Sequence, residues 1–419
     1  MTKKTNHTRR VVISGLGLVT CLGQEVETVW QSLIAGRSGI RNITLFDAHD
    51  LPCKIAGEIP EFDPETFIPA KEARRMARNS QMALASAMMA VDDSALPRPF
   101  PDPTRVGVYF GTAIGGWDRG YEGIEVLRER GFAKVNPFSL PSTLPNMAAF
   151  HVTHYFKALG PNCTITTACA TGTQTIGEGA QAIRNGWADV VIAGGTEAII
   201  QHFVMAGFAA MRALPIHYND APTHASRPFE LQREGFVFSE GAACVILESL
   251  EHAQARNARI YAEVAGFGAT GDAYHMAAPD PEGEGAARTM LRALDDSGLE
   301  PEQVNYINAH GTSTPANDAT ETKAIKSVFG DYAHQIPISS TKSMLGHAMG
   351  ASGAIEAIVC ALSIHNQIIH PTINYQEPDP ELDLDFVPNQ ARSADIQVAL
   401  SNSFGLGGQN ACLVLKRLE

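Results

Sequence analysis

The chain has 419 residues, 44% of them hydrophobic and 18% charged, with a formal charge of −13 at pH 7. So acidic a surface repels polyanions, which excludes nucleic acid as a partner. The seven cysteines are odd in number, scattered and without a Cys-x-x-Cys pair, so a disulfide framework is excluded and a reducing cytoplasm is expected.

Lys3, Lys4, Arg9 and Arg10 precede an apolar run over 11–21 that superficially resembles an export signal. Ser14, Gly15, Gly17 and Thr20 break the run and no small-x-small site follows, so a first buried strand is predicted instead. No apolar stretch approaches the roughly 20 residues of a membrane helix, and no membrane partner is expected. Gly15-x-Gly17 lacks the third glycine and the acidic ribose partner of a dinucleotide fingerprint, which excludes a nicotinamide site. His151-x-x-His154 has no carboxylate or cysteine at ligand spacing, so no metal is expected there.

Short β-rich runs alternate with helical patterns, the mark of an α/β fold with a largely parallel sheet. Strands are predicted at 11–14, 106–110, 164–167, 189–194 and 242–248, and again at 260–268, 304–309, 336–340, 397–402 and 411–416. Helices are predicted over 71–92, 172–185, 285–297, 318–329 and 350–365. The two series agree in number, spacing and order, which predicts two βαβαβ halves in one body, 1–255 and 256–419. Segment 97–103 reads as a loop and 371–388 as an irregular surface segment.

Cys169 sits in Thr167-Ala168-Cys169-Ala170-Thr171-Gly172, where a strand is predicted to give way to a helix. A thiol at a helix start faces unpaired N–H groups and the positive end of the dipole, which favour thiolate and a competent nucleophile. Taken alone, a small buried cysteine is the plainer reading. Asn308-Ala309-His310-Gly311-Thr312-Ser313-Thr314 and Lys342-Ser343-Met344-Leu345-Gly346-His347 then place two imidazoles in glycine turns at strand ends. Two neutral imidazoles can donate to a thioester carbonyl as it becomes an enolate, and Lys342 favours nearby anionic states. Asp318, Glu321 and Glu356, on the following helices, are candidate partners of Lys342 or a histidine, or solvated helix charges. Asn402-Ser403-Phe404-Gly405-Leu406-Gly407-Gly408 is a glycine loop between late strands, either a second oxyanion donor and gate or a plain hairpin.

Together these motifs resemble the β-ketoacyl-[acyl-carrier-protein] synthases, in particular the elongating type II class, and the resemblance runs nearly end to end. It implies a thiolase-like fold, two duplicated halves in α-β-α-β-α layers, and a homodimer. It also implies a decarboxylative Claisen condensation: Cys169 carries the acyl group, and His310 and His347 stabilise the enolate of a malonyl-carrier protein. Lys342, with Asp318, Glu321 and Glu356, would order the site. The backbone N–H groups of Cys169 and Leu406 would hold the oxyanion, with Phe404 and Leu406 in the gate. Thr312 and Thr314 would touch the phosphopantetheine arm, and Ile114 and Phe208 would line the acyl tunnel. Lys71, Arg74, Arg75 and Arg212 would dock the acidic acyl carrier protein, whose phosphopantetheine arm carries the substrates; no separate cofactor is implied. Three positions depart from the pattern: Leu406 replaces a Phe of the gate, Gln409 a Thr and Ser239 a Gly. They point to a specialised synthase of polyketide, aryl-polyene or other secondary lipid assembly as the alternative to fatty-acid elongation. A chain-length-factor-like partner would lack Cys169, and a thiolase would need a second late catalytic cysteine, which Cys412, inside a predicted strand, does not provide.

Overall fold

The computed structural model describes residues 9–418, so Lys3 and Lys4 lie outside the described residues. Its ten-stranded main sheet comprises β1 Val11–Val19, β2 Val106–Gly111, β3 Asn162–Cys163, β4 Val190–Glu197 and β5 Gly241–Ser249, then β6 Ala262–Gly271, β7 Tyr306–Asn308, β8 Ile338–Ser339, β9 Val398–Gly405 and β10 Gln409–Lys416. The helices that matter to the site are α1 Ala70–Ala73, α2 Arg78–Asp93, α3 Trp117–Arg130, α4 Met147–Phe156, α5 Thr171–Arg184, α6 His202–Ala210, α7 Glu284–Ser297, α8 Pro315–Phe329 and α9 Ser352–Asn366.

Across the sheet the order is β8-β7-β9-β10-β6-β1-β5-β4-β2-β3. Each half therefore runs third, second, fourth, fifth, first strand, counted from opposite ends. Strand directions repeat as well: β2 is parallel to β3 and β4, and β7 to β8 and β9, while the remaining neighbours are antiparallel. The halves meet through the antiparallel register of Val12 with Glu263 and Ile13 with Ala262. The expected largely parallel sheet is thus corrected to a mixed one. The β9–β10 pair shows why: a three-residue tip closes a hairpin, and a hairpin can join only antiparallel strands.

Helices complete five layers. α2 packs on β1, β4 and β5, and α7 on β6 and β10, while α5 and α9 pack on each other between strands of both halves. In that central pair a Cβ on Gly172 would stand 2.4 Å from the Ala354 nitrogen, and one on Gly353 would stand 2.1 Å from Thr173 Oγ1. The two helix starts meet backbone to backbone, which only glycine permits. That contact brings the turn carrying Cys169 beside the turn carrying His347.

Three further expectations change. Helix 71–92 breaks into α1 and α2 because the Arg78 guanidinium is drawn to buried Glu240, with contacts of 2.8 Å to both carboxylate oxygens. Side chains of α3 satisfy the freed backbone: Arg78 N donates to Asp118, and Arg119 donates to Met76 O. Strand 164–167 leaves the sheet, whose ladder ends at Cys163. Segment 371–388 is irregular but not superficial: Ile373, Leu382, Leu384, Phe386 and Val387 are buried, and Phe386 stacks on Phe229 at 4.0 Å. Among the described residues no helix is long and apolar enough to cross a membrane.

Candidate active site

Cys169, His310 and His347 come from three turns, each with a left-handed residue beside the functional one: Ala168 at φ 50°, Gly311 at φ 39° and Gly346 at φ 71°. For Ala168 that conformation is unfavourable and persists because the surroundings enforce it. The chain leaves β3, turns within the single 3-10 turn Ala168–Ala170 and enters α5. Thr171 Oγ1 accepts the Thr167 N–H at 2.9 Å and satisfies the donor that the turn exposes. His310 follows β7 directly, as expected. His347 is corrected: it stands beyond a helical turn, Lys342–Leu345, and its backbone pairs with Val237 O at 2.7 Å and with Ser239 N at 3.0 Å.

One donor atom from each of Cys169, His310 and His347 lies within 4.8 Å of the other two. The imidazoles meet edge to face with centroids 5.4 Å apart; Phe404 abuts His310 at 5.7 Å and Phe236 abuts His347 at 5.4 Å. These residues open on a cleft of about 470 Å³ whose walls also carry Thr312, Thr314, Phe208, Arg212 and Leu406. Thr312 and Thr314 share a hydrogen bond of 2.9 Å, and Thr314 caps α8. Ile114 does not line this cleft; with Phe208 it lines an adjoining apolar pocket.

Burial dominates the electrostatics. It pushes the Cys169 thiol up to about 11, while the Leu406 N–H, the Lys342 charge and the Cys169 N–H pull it down. The expected thiolate is therefore corrected for the resting site: desolvation outweighs the helix start, and sulfur holds its proton. The two expected oxyanion donors do converge on that sulfur. Burial and then Lys342 hold both His310 and His347 well below the usual histidine value, so both are neutral at pH 7.

Lys342 is buried away from the cleft wall and ion-paired with Glu356 inside the protein. Its influence on Cys169 and the histidines is through charge. Burial raises Glu356 to about 7 against the pull of Lys342. Glu321 partners the backbone of the His310 turn, not its ring, with Oε1 accepting from His310 N and Oε2 from Gly311 N. Asp318 touches neither Lys342 nor a histidine; it accepts from Phe229 N at 2.8 Å and anchors that loop.

Sequence reasoning missed Glu197. It ends β4 fully buried, accepting from Ala113 N at 2.9 Å, Thr112 Oγ1 at 3.0 Å, Ile114 N at 3.3 Å and Gly350 N at 3.4 Å. One carboxylate thereby ties the loop after β2 to the turn after His347. Its signal was a carboxylate closing the wholly apolar run Val190 to Ala193.

The glycine loop is the tip of the β9–β10 hairpin. Ser403 Oγ meets Thr173 Oγ1 at 2.7 Å, and a Cβ on Gly405 would stand 2.8 Å from Thr167 O, so the hairpin presses on the nucleophile's turn. Leu406 is half-buried, packed in the same apolar cluster as Cys169. Gln409 is exposed and off the cleft wall, and the Ser239 hydroxyl donates to Gly57 O at 2.9 Å. Lys71, Arg74 and Arg75 are exposed on α1 and the turn after it, with Arg75 over the Phe138 ring at 5.3 Å; Arg212 is exposed at the cleft.

The comparisons agree with this geometry. Residues 8–253 match the family described as "Beta-ketoacyl synthase, N-terminal domain", and residues 261–376 match "Beta-ketoacyl synthase, C-terminal domain". The chain is 49% identical over 410 residues to a 3-oxoacyl-[acyl-carrier-protein] synthase 2 of Coxiella burnetii, covering 98% of this chain and 99% of that one. It is 49% identical over 411 residues to the synthase of the same name from Staphylococcus aureus, with the same coverage. Among solved structures, the ishigamide ketosynthase/chain length factor superposes with a TM-score of 0.91 at 38% identity, and a type II polyketide ketosynthase bound to its acyl-carrier protein with 0.90 at 36%; each match covers 98% of this chain and 100% of the other. A thiol, two neutral imidazoles and two converging N–H donors, on a fold shared end to end with these proteins, place this chain in the β-ketoacyl synthase family, within the thiolase-like superfamily.

Proposed function

We propose that this chain is a β-ketoacyl-[acyl-carrier-protein] synthase of the elongating type, condensing a malonyl group with an acyl group held on Cys169 in fatty-acid elongation. The observation that carries the reading is the meeting of Cys169, His310 and His347 within 4.8 Å at the floor of one cleft. Half 1–255 supplies the nucleophile, and half 256–419 supplies the histidines and Lys342.

In the first step Cys169 Sγ attacks the acyl thioester, its proton passes to the departing phosphopantetheine thiolate, and an acyl-Cys169 thioester forms. The thiolate that forms in this step is favoured by the Leu406 N–H, the Lys342 charge and the Cys169 N–H, which pull the thiol down against its burial. In the second step malonyl-carrier protein enters and its C–C bond to carboxylate breaks. Carbon dioxide leaves, and the enolate oxygen accepts N–H bonds from His310 and His347. His347 Nδ1 shares a hydrogen bond of 2.9 Å with the Ser352 hydroxyl and Nε2 has no other partner, so the tautomer that serves this step is the one with the ring proton on Nε2 and the Ser352 hydroxyl donating to Nδ1. In the third step the carbanion attacks the acyl-Cys169 carbonyl. The oxyanion is held by the N–H groups of Cys169 and Leu406, and collapse expels the Cys169 thiolate, which takes up a proton.

The chemistry needs no cofactor beyond the carrier's phosphopantetheine arm, for which Thr312 and Thr314 stand in the cleft. The partner is an acidic acyl carrier protein, steered in this acidic enzyme by Lys71, Arg74, Arg75 and Arg212. The functional unit is a cytoplasmic homodimer. Strand β3 ends the sheet with Thr166 exposed beyond it, and Phe132, Leu140, Phe150 and Leu159 are exposed. An unpaired edge and exposed apolar side chains are satisfied by a second copy.

Incubation with acyl-carrier protein and then malonyl-carrier protein tests the reading. Acyl mass on Cys169, absent in Cys169→Ala, followed by β-ketoacyl product is expected; no adduct on Cys169 overturns it.

A further inference from the structure

We propose that His370 is a positioning residue for decarboxylation: as a hydrogen-bond acceptor behind the cleft, it fixes the turn of His310 against the turn of Lys342; this rests on the condensing-enzyme reading above. His370 is fully buried and lies off the cleft wall. Its Nδ1 stands 3.0 Å from Pro371 O. A carbonyl only accepts, so the ring proton is on Nδ1 and Nε2 is left as an acceptor. Burial lowers the group to about 4, which keeps the ring neutral and that acceptor available at pH 7.

Four buried groups from β7, β8 and the turn after it surround Nε2: Thr341 Oγ1 at 3.1 Å, and Tyr306 OH, Asn308 Nδ2 and Ser339 Oγ at 3.3 Å each. They also bond one another: Asn308 Nδ2 donates to Thr341 Oγ1 at 2.8 Å, and Tyr306 OH meets Ser339 Oγ at 2.8 Å. One lone pair cannot take four donors, so the ring sets a direction. The Asn308 amide donates to the Thr341 hydroxyl, and that hydroxyl donates to Nε2. Asn308 ends β7 two residues before His310. Thr341 immediately precedes Lys342, and its carbonyl accepts from Met344 N at 3.1 Å and Leu345 N at 3.2 Å to close that turn. The residues after His370 continue the brace: Thr372 Oγ1 accepts from Ser340 N at 3.0 Å, and Ser340 Oγ donates to Gly311 O at 2.7 Å. All of these groups lie in 306–372, whereas the turn of Cys169 is held by Thr171. Loss of the acceptor leaves a buried hydroxyl without its partner and loosens the groups that meet the enolate, while the nucleophile is spared.

The test uses the full-length enzyme with octanoyl- and malonyl-carrier protein. Intact-protein mass spectrometry follows acylation of Cys169, and carbon dioxide release follows decarboxylation, both well below the melting temperature of each variant. In His370→Leu, carbon dioxide release is expected to slow about 10- to 30-fold, with acylation and the KM for malonyl-carrier protein each within about threefold of normal. His370→Gln, whose amide oxygen can stand in for Nε2, is expected to restore release to within about threefold of normal. Thr341→Val, which removes the hydroxyl donor and keeps the histidine, should show the same split as His370→Leu, and it decides alone if His370→Leu does not fold. Equal slowing of both steps overturns the proposal, as does a His370→Gln enzyme as slow as His370→Leu. Absence of any acyl adduct in the unmodified enzyme overturns the condensing-enzyme reading itself, whereas normal acylation and normal release in His370→Leu overturn only this inference.

Discussion

Glu321 and His310 are joined through the backbone: one carboxylate oxygen accepts the His310 N–H at 2.8 Å and the other accepts the Gly311 N–H at 2.8 Å. The ring is thereby fixed from behind, because the left-handed turn at Gly311 cannot relax while both donors are held. Glu321→Gln keeps the size but presents an amide donor to one of those N–H groups. A hydrogen bond to a charged group is worth about 1.5–3 kcal/mol, so kcat for condensation is expected to fall about 10- to 100-fold. Acylation of Cys169 should be largely spared. Equal loss of both steps would mean that Glu321 supports the whole fold and not the turn.

The same carboxylate sets a pH dependence. Burial raises Glu321 from 4.5 to about 7, so between those values the folded protein holds a proton that the unfolded chain has released. Stability contributed by this group therefore falls as pH rises from 4.5 to about 7. Comparing melting temperatures at pH 5 and pH 7.5 checks the sign. Glu321→Gln should fare better at pH 7.5 relative to pH 5 than the unmodified protein, because Glu321's contribution is gone while Glu197, Glu356 and the buried histidines His151, His310, His347 and His370, which act in the opposite direction, are common to both.

Cys169 in the resting enzyme should react as a thiol. Its alkylation rate by iodoacetamide is expected to climb with pH until about 11, without levelling near the ordinary cysteine value. Lys342→Met removes a charge that lowers Cys169, His310 and His347 alike, so alkylation at fixed pH should slow and the histidines should shift toward their usual value. Histidine proton NMR reads the second effect; unchanged shifts would contradict a role exerted through charge.

Much of this was legible in the sequence, for definable reasons. Cys169, His310 and His347 stand in short glycine-bearing turns whose chemistry is local, so their neighbours in sequence announce them. The duplicated strand order followed from matching apolar runs, and the topology repeats it. Non-local relations were not legible. The break at Arg74 to Ala77 depends on Glu240, 162 residues from Arg78. Strand 164–167 has β propensity but no neighbour to pair with beyond Cys163. Glu197 is hidden because its partners come from two distant segments, 112–114 and Gly350. The raised thiol escaped because the helix start is visible in sequence and the desolvation above it is not.

Gly353→Ala should destabilise the protein without altering any reacting group. Its Cβ would stand 2.1 Å from Thr173 Oγ1 and 2.5 Å from Thr173 N, where α5 and α9 meet. Overpacking of this kind costs about 1–3 kcal/mol, or more where backbone must move. A melting temperature within 1–2 °C of the unmodified protein would show that the central helices have slack.

Arg74→Glu with Arg75→Glu reverses exposed charge that touches no cleft residue. The KM for acyl-carrier protein is expected to rise about tenfold and to lose its salt dependence, with acylation by an acyl-pantetheine thioester unchanged. Equal losses with both substrates would place the defect in the site.

The division of labour between Cys169 and the histidines is tested most directly by single-turnover discharge. Enzyme acylated on Cys169 is mixed with malonyl-carrier protein, and the acyl mass is followed alongside carbon dioxide release in the unmodified protein and in His310→Ala. Acylation within about threefold of normal, with discharge and carbon dioxide release slowed at least about 100-fold, is the predicted result. Discharge at the normal rate in His310→Ala, or failure of Cys169 to accept the acyl group at all, would contradict it.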